Sequence, residues 1–375
     1  QPPVKEKTTH YFFKLKNFSE KLSQYLEDNQ NLQKDVKKYV QNWIKEGLTD
    51  WDITRDISWG IPVPIDSVND KVFYGWFDNH LAYISSAVKF LNDSGKDGKK
   101  FWNESDIYHF IGKDIVYHHY LFLPAMRLGI EEEYKLPDYI PTRGHLTLQS
   151  KKISKSRNWY IGLKDFLQIF PADYLRFYLV SINPYSQDDL NFDWNEFATK
   201  INSELIGNFG NLVNRVLGFT VKSFDGVIPE PEEFDDADKE SEKLIKEFVT
   251  EIGTLMDQNH LDRALKKILQ FSAHFNQYFQ HKEPWKNNSG TNSCIYLSVN
   301  AVRSLAIAIY PFLPESSQKI WIQLGMHDNI STQGFDEISN ISIKQGHKLG
   351  KIFPLFQKIE ESVIKEQSAK LGDSM

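Results

Sequence analysis

The chain has 375 residues, of which 41% are hydrophobic and 25% are charged, and its formal net charge is −6. This composition is typical of water-soluble globular proteins, and the length suits two domains. The acidic balance argues against a uniformly basic nucleic-acid coat, and the single cysteine, Cys294, excludes an internal disulfide framework and a cysteine-rich zinc site.

The first half of the chain predicts a mixture of helices and strands. Apolar residues at helical spacing predict two helices within residues 17–47. Short apolar runs broken by Gly and Pro predict strands and loops at 51–84. Residues 107–130 then predict one strand-to-helix unit of an α/β sheet, with a turn at Gly112 and a helix opened by Asp114.

The second half predicts mainly helices. A further strand is expected at 139–149, leading into a lysine-rich loop at 151–157. Helical spacing dominates from residue 163 almost to the end, which predicts a helical domain. The acidic, proline-bearing segment 225–240 is expected to be an exposed loop. A final helix is expected within 347–375.

The most informative string is Lys152-Ile153-Ser154-Lys155-Ser156. Two lysines three residues apart, interleaved with serines, give a cationic loop with hydroxyl donors that suits a polyphosphate. Such lysines would stabilise the pyrophosphate that leaves when a carboxylate attacks the α-phosphate of ATP. Taken alone, five residues of this kind are more often a solvated basic turn, so the surrounding sequence has to decide.

The surrounding sequence resembles one family. The loop resembles the KMSKS signature of class I aminoacyl-tRNA synthetases, and its context is similar to the methionyl family in particular. The similar blocks span most of residues 1–290 and lie at 55–64, 73–86, 110–130, 143–157, 171–180, 208–219 and 281–286. The resemblance implies an α/β catalytic-domain half, with a partial Rossmann-type parallel sheet, followed by an all-α anticodon-binding helix bundle.

The resemblance also implies domain boundaries. The carboxyl-terminal half of the catalytic domain would cover 1–150, and the KMSKS loop with a stem-contact region would cover 151–195. The α-helical anticodon-binding domain would cover 196–346, and a tail helix 347–375.

The nucleotide site follows from the same resemblance. The implied catalytic residues are Lys152 and Lys155. The implied ATP-binding residues are Gly112, Lys113, Asp114, Ser154, Lys155 and Ser156. Glycine permits close backbone approach, and Asp114 could accept hydrogen bonds from ribose hydroxyls, although it could also simply cap a helix. ATP with Mg²⁺ is the expected cofactor, with no zinc or other metal site in the chain.

An amino-acid pocket is implied as well. Its matching residues are Trp76, Tyr83, Ile115 and His119. Aromatic and aliphatic walls suit a flexible thioether, although each such residue taken singly is more often core. The chain departs from the family at Asp78-Asn79-His80, where Asp-Ala-Pro is usual, and this bears on methionine selectivity. In the lysine loop, Ile153 replaces methionine and Asn158 replaces glycine, and both changes are compatible with the turn.

The helical domain carries the implied anticodon site. Asn211, Asn214 and Arg215 share one helix face, and Trp285 follows a Lys-Glu-Pro turn. Amide and guanidinium groups bond to base edges, and an aromatic ring stacks on an unpaired base. The resemblance implies that these residues bind tRNA, with Asn211, Arg215 and Trp285 reading the CAU anticodon. The alternative is a polar helix face and a core tryptophan.

The second class I signature, His-x-Gly-His, does not occur in the sequence. We therefore expect a fragment of a methionine-tRNA ligase, cut away or encoded by a split gene, which does not form methionyl-adenylate alone. Its expected partners are tRNA(Met), methionine and an amino-terminal catalytic half. A non-catalytic tRNA-binding paralogue is the alternative, and a leucyl, isoleucyl or valyl enzyme is disfavoured. With no apolar run of about 18 residues and no signal peptide, we expect no membrane span and a cytoplasmic location.

Overall fold

The computed structural model describes residues 7–372, so the outer ends of the first and last predicted domains, 1–6 and 373–375, lie outside the described residues. By internal packing the chain divides into two compact units, which meet in sequence between Gly144 and His145. The four-part division stays a prediction, and the two units are described separately.

Strands in the first unit are short and paired. Within residues 7–144 there are six of them: β1 Phe12–Phe13, β2 Trp51–Asp52, β3 Thr54–Arg55, β4 Val72–Phe73, β5 Ile111–Gly112 and β6 Thr142–Arg143. β1 pairs with β2 and β3 with β4, both antiparallel. β5 and β6 are parallel, and a bridge from Tyr108 to Tyr139 extends the pair. This parallel pair belongs to the predicted partial sheet.

Helices cover the rest of this unit. Within the same residues they are α1 Ser19–Asp28, α2 Lys34–Glu46, α3 Gly75–Asp78, α4 Ala82–Asp93, α5 Gly98–Glu104 and α6 Leu123–Leu128. α1 and α2 are the two predicted helices, and each buries apolar residues one turn apart, such as Leu22 and Leu26 in α1. Gly47 ends α2 with φ of 104°, a conformation that favours glycine. Helix at 75–84 was not expected.

The parallel strands are joined through helical turns. After β5 come a 3₁₀ turn at Lys113–Ile115, a π-helix at His118–Phe122 and then α6. The predicted strand-to-helix unit is thus present. Asp114 is the second residue of the 3₁₀ turn rather than the opening residue of a helix, so that part of the prediction is wrong.

A small sheet opens the second unit. Its strands, in residues 145–372, are β7 Leu146–Leu148, β8 Lys151–Lys152 and β9 Leu190–Phe192, in the order β8-β7-β9. β7 runs antiparallel to β8 and parallel to β9. Gln149 and Ser150 join β7 to β8 with φ of 48° and 59°, as in a tight two-residue hairpin.

Helices form the remainder of the second unit. In residues 145–372 they are α7 Leu163–Ile169, α8 Ala172–Ser181, α9 Trp194–Lys200, α10 Asn211–Phe224, α11 Asp236–Asp257, α12 Leu261–Lys282, α13 Thr291–Ile309, α14 Pro314–Gln323 and α15 Glu361–Ala369. A ten-residue π-helix, Ile201–Gly210, joins α9 to α10 without a break. The α/β part followed by a helical part confirms the predicted fold class.

Two features of this unit bear on the sequence expectations. By length and composition α13 could cross a membrane, but 89% of its apolar window is buried among the other helices, as in the core helix of a globular domain. The segment 225–240 is only partly a loop, because α11 begins at Asp236 with Asp235 and Asp238 forming a capping box. The final helix, α15, lies where it was expected.

Candidate functional site

The lysine loop is a closed turn in the second unit. Ser154 and Trp159 exchange two backbone hydrogen bonds, of 2.8 and 2.9 Å, and so tie the ends of the turn together. Between them lie a 3₁₀ turn, Lys155–Arg157, and Asn158 in the left-handed conformation, with φ of 51°. The expectation that asparagine would serve in place of glycine here is confirmed.

The charges of this turn point to solvent. Lys152 and Lys155 are exposed, and among residues 7–372 their side-chain ammonium groups have no hydrogen-bond or ion-pair partner. Lys151, the preceding residue, packs its ammonium 4.5 Å from the centre of the Trp159 ring instead. The hydroxyls of Ser154 and Ser156 lie 3.2 Å apart. The turn therefore presents two uncompensated ammonium groups beside two hydroxyls, a suitable set for an anion.

An apolar cavity of about 180 Å³ is lined by this turn and the small sheet. Ile153 lines it together with Leu148, Phe166 and Phe192, and the Ile153 side chain is still 40% exposed. Ile153 is thus the apolar contact of an otherwise polar turn, which agrees with its expected anchoring role.

The Gly112–Asp114 corner lies in the first unit, where β5 ends. A Cβ added at Gly112 would meet Oδ1 of Asp114 at 2.6 Å, so the bare glycine lets that carboxylate fold back over the backbone. Asp114 is exposed, and Lys113 is half-buried. Three of the six residues expected to bind ATP thus form one local turn.

Residues of the expected amino-acid pocket lie together in the first unit. His119 Nδ1 is 3.1 Å from the carbonyl oxygen of Ile115, and His119 Nε2 is 3.2 Å from the hydroxyl of Tyr83. Because a carbonyl only accepts, Nδ1 carries the proton and Nε2 accepts from Tyr83. His119 is 1% exposed, whereas Tyr83 and Trp76 are partly open to solvent. The structure therefore connects Tyr83, His119 and Ile115 by hydrogen bonds.

Three further histidines surround His119. His80, at the position where the family usually has proline, is 2% exposed, with ring centroids 5.3 Å from His118 and 5.5 Å from His119. His109 is 5.5 Å from His119, and Trp76 is 4.9 Å from His118. His109 and His118 were missed in the sequence. The adjacent pair His118-His119 was a signal, but the π-helix that directs both rings inward was not predictable.

We call these four residues the histidine cluster (His80, His109, His118 and His119). Their imidazole rings are neutral in the folded chain at pH 7. Burial, reinforced by the neighbouring histidines and Arg127, lowers the pKa of His80 and of His109 to about 3. Burial also lowers the pKa of His118 and His119. In the described part of the chain, Nε2 of His80 and Nδ1 of His109 and His118 are buried without a hydrogen-bond partner.

The histidine cluster is not arranged around a metal. Among residues 7–372, no group of three or more His, Cys, Asp or Glu side chains is placed to hold a metal ion. The cluster is instead a neutral, ring-lined environment next to the hydroxyl of Tyr83.

We expect the cluster to make the fold acid-sensitive. An unfolded histidine has a pKa of about 6.5, so as the pH falls the unfolded chain binds protons before folded His80 and His109 do. The contribution of His80 and His109 to the free energy of unfolding should be constant above about pH 7 and fall between about pH 6.5 and 3, by up to about 1.4 kcal/mol per pH unit for each of the two residues. Urea unfolding followed by circular dichroism at pH 7.5 and 5.0 measures this loss.

The double variant His80→Gln, His109→Gln is the control for this effect. It should be less stable than the parent at pH 7.5, yet lose less stability on going to pH 5.0. An equal loss in parent and variant would show that other groups cause the acid sensitivity.

The expected anticodon residues lie on α10 and just after α12. Arg215 donates to Oε1 of Gln280 at 2.6 Å, and its guanidinium lies 5.0 Å from the ring centre of Phe279 and 5.1 Å from that of Trp285. Trp285 is 44% exposed, which does not fit the alternative of a core tryptophan. Arg215 and Trp285 thus form a cation–π pair.

Asn211 and Asn214 precede Arg215 on α10. Asn211 donates to the side-chain oxygen of Asn276 at 3.0 Å. Asn214 is exposed and lines a cavity of about 370 Å³ together with the tail segment 354–356. The sequence reading missed Asn276 and Gln280, which present amides at i and i+4 on α12. That spacing was the available signal.

Comparison with known proteins gives the family. Residues 1–217 match the model of class I (M) tRNA synthetases, and residues 228–374 match the anticodon-binding domain of methionyl-tRNA ligase. The methionine–tRNA ligases of Methanopyrus kandleri and Pyrococcus furiosus are each 39% identical to this chain, over 99% and 97% of it. The matched regions are 55% and 52% of those two proteins, so the chain spans about half the length of the curated relatives it matches.

Solved structures similar to this chain belong to the same family. Mycobacterium tuberculosis methionyl-tRNA synthetase in complex with methionyl-adenylate has a TM-score of 0.84 and 27% identity, covering 94% of this chain and 69% of that one. Its apo form has a TM-score of 0.80 and 26% identity over the same shares. The fold, the lysine turn and the Arg215–Trp285 pair therefore have one explanation: the chain belongs to the methionyl-tRNA synthetase family of class I aminoacyl-tRNA synthetases.

Proposed function

We propose that the chain is the part of a methionine-tRNA ligase that carries the lysine turn, the amino-acid pocket and the anticodon site. The reaction is ATP-dependent activation of methionine, followed by its transfer to tRNA(Met), in the cytoplasm. The observation that carries the proposal is the pair of exposed, unpartnered ammonium groups of Lys152, at the end of β8, and Lys155, in the closed turn that follows, within a chain of this family.

In the proposed activation step, the methionine carboxylate attacks the α-phosphorus of ATP, and the bond to pyrophosphate breaks. Negative charge grows on the leaving pyrophosphate. Lys152 and Lys155 stabilise that charge, with Ser154 and Ser156 donating hydrogen bonds. Gly112, Lys113 and Asp114 contact the nucleotide. Mg²⁺ enters with the ATP phosphates rather than through ligands of this chain.

Methionine is proposed to bind beside Trp76, Tyr83, Ile115 and His119. The neutral His119 accepts a hydrogen bond from Tyr83, so the pair is satisfied internally and presents little charge to a thioether. His80 introduces a neutral imidazole next to this pair. Charging in parallel with methionine and with leucine would show how selective such a pocket is.

Binding of tRNA(Met) is assigned to the helical unit. The partly exposed ring of Trp285 offers a stacking surface for an unpaired base. Arg215, Asn211 and Asn214 offer donors for base edges. Family membership of residues 228–374 supports this assignment.

Adenylation is the step that tests the proposal. Because no His-x-Gly-His signature occurs in these 375 residues, we expect no methionine-dependent ATP–pyrophosphate exchange by the chain alone. Exchange should appear when an amino-terminal catalytic half carrying that signature is supplied. Robust exchange by the chain alone would contradict the need for that half. Binding of tRNA(Met) without exchange in either case would favour the alternative, a non-catalytic tRNA-binding protein.

A further inference from the structure

A buried charge lies at the end of α12. Lys282, the last residue of that helix, is 7% exposed, and its Nζ lies 2.8 Å from Oδ2 of Asp235 and 2.9 Å from Oδ1 of Asp238. Asp238 is fully buried and also accepts from the hydroxyl of Tyr278 at 2.5 Å. Breaking a buried pair by removing one partner leaves an uncompensated charge. The network therefore fixes the carboxyl end of α12 against the amino end of α11.

The turn after Lys282 depends on the same residue. Glu283 and Asn287 both have positive φ, 45° and 48°, and they bracket the 3₁₀ turn that contains Trp285. The side-chain amide of Asn288 donates to the carbonyl oxygen of Lys282 at 3.3 Å. A Cβ at Gly290 would lie 2.8 Å from the Lys282 ammonium, so the returning chain passes close to it. The turn therefore begins directly after Lys282, and the chain that leaves the turn contacts Lys282 again through Asn288 and Gly290.

Residues of α12 next to Lys282 support Arg215, the partner of Trp285 in the Arg215–Trp285 pair. Phe279 and Gln280, within the last turn of the helix, contact the guanidinium of Arg215. A displacement of that last turn would move the support of Arg215 and the turn bearing Trp285 at the same time.

From this arrangement we propose that Lys282 is a positioning residue for anticodon recognition. It touches no base. Instead, it holds Arg215 and Trp285 in the geometry in which they can contact an anticodon base. The inference rests on the proposed anticodon function of that pair, and it adds a residue outside the base-contacting set.

The charge that the inference needs persists at neutral pH. Burial alone would lower the pKa of Lys282, but the hydrogen bonds from its ammonium to Asp235 and Asp238 more than offset this effect, and the pKa is raised. The same contact with Lys282 lowers the pKa of Asp235. A purely structural role would make Lys282→Met less stable without changing how Trp285 is held, so the test has to observe Trp285 itself.

The first experiment needs no RNA. The full chain is labelled with 5-fluorotryptophan, and the Trp285 signal in the ¹⁹F NMR spectrum is assigned by its loss in Trp285→Phe. We expect Lys282→Met to shift or broaden the Trp285 signal while the buried Trp321 signal stays unchanged. Lys282→Arg should restore most of the parent spectrum. Lys246→Met, which removes an exposed lysine of α11 paired with Glu242, is the matched control and should change nothing at Trp285.

If Lys282→Met does not fold, Asn288→Ala is used in its place. Asn288→Ala removes the hydrogen bond to the Lys282 carbonyl oxygen and leaves the buried charges intact. An unchanged Trp285 signal in a folded Lys282→Met chain, or in Asn288→Ala where that chain replaces it, would overturn the inference. This outcome does not depend on whether the chain binds RNA.

The second experiment measures the consequence with a CAU anticodon stem-loop and a stem-loop carrying one changed anticodon base. We expect Lys282→Met to reduce affinity for the CAU stem-loop about tenfold and to narrow its preference over the changed one. In a Trp285→Ala background, the same substitution should cost less affinity than it does in the parent, because only the support of Arg215 is then left to disturb. The inference would be overturned if Lys282→Met preferred the CAU stem-loop over the changed one as strongly as the parent does. It would also be overturned if the losses of binding free energy caused by Lys282→Met and Trp285→Ala simply added in the double variant. Absence of CAU binding by the parent, with a shifted Trp285 signal, would instead refute only the anticodon function.

Discussion

Replacing Lys155 with alanine, in an enzyme that also carries the His-x-Gly-His signature, should reduce methionine-dependent ATP–pyrophosphate exchange by roughly 10²- to 10³-fold. Lys155 is exposed and its ammonium group has no partner among residues 7–372, so its charge is available to the leaving pyrophosphate. Its loss should lower kcat more than it raises the KM for ATP, because the charge develops in the transition state. Steady-state exchange kinetics with varied ATP measures both.

Lys151→Ala provides the matched control for this prediction. Lys151 lies in β8, four residues before Lys155, and carries the same charge, but its ammonium packs against Trp159. We expect less than about a threefold change in exchange, in line with an exposed charge near a site. Equal losses in Lys151→Ala and Lys155→Ala would mean that general positive charge, rather than the geometry of the turn, drives the reaction.

Replacing Trp285 with alanine should weaken binding of a CAU anticodon stem-loop by roughly 5- to 150-fold, because stacking of one base on an aromatic ring is worth about 1 to 3 kcal/mol. Trp285 is 44% exposed, and Arg215 contacts its ring. Removing the ring should therefore weaken RNA binding more than it destabilises the hydrophobic core. Fluorescence anisotropy with a labelled stem-loop at fixed salt concentration measures the change.

Two further variants make this prediction specific. Trp285→Phe keeps a stacking ring and should recover most of the affinity. Trp59→Ala removes a ring that is 86% exposed in the first unit and should leave stem-loop binding unchanged. Equal binding by Trp285→Ala and the parent would exclude Trp285 as a base-stacking residue.

Features governed by local sequence were predictable. The two helices of residues 17–47 follow from apolar spacing and a terminating glycine, both of which act within one element. The lysine turn was also foreseen, including a left-handed Asn158, because the tolerance of asparagine for positive φ is intrinsic to that residue. Such features need no knowledge of distant residues.

Features that depend on distant partners were not predictable. The acidic run 225–240 appeared to be a solvated loop, yet Asp238 is fully buried because Lys282, 44 positions further along the chain, neutralises it. His80 was recognised only as a departure from the family. Its place among three other histidines depends on a π-helix at His118–Phe122, which no spacing of apolar residues predicted. Burial of charge and of imidazole thus required the tertiary structure.

The π-helix Ile201–Gly210 has a consequence for tolerated change in this family member. Its wider turns, closed by bonds to the fifth residue along, set the rotation at which α10 emerges. Deleting one residue from it, with the segment kept as a π-helix, would rotate every later position of α10 by roughly a quarter of a turn around the axis, and Asn211 and Arg215 would no longer face α12. The number of residues in this segment, more than their identity, therefore determines the direction of those two side chains, and insertions or deletions there should be far more damaging than substitutions at an exposed position such as Ser203.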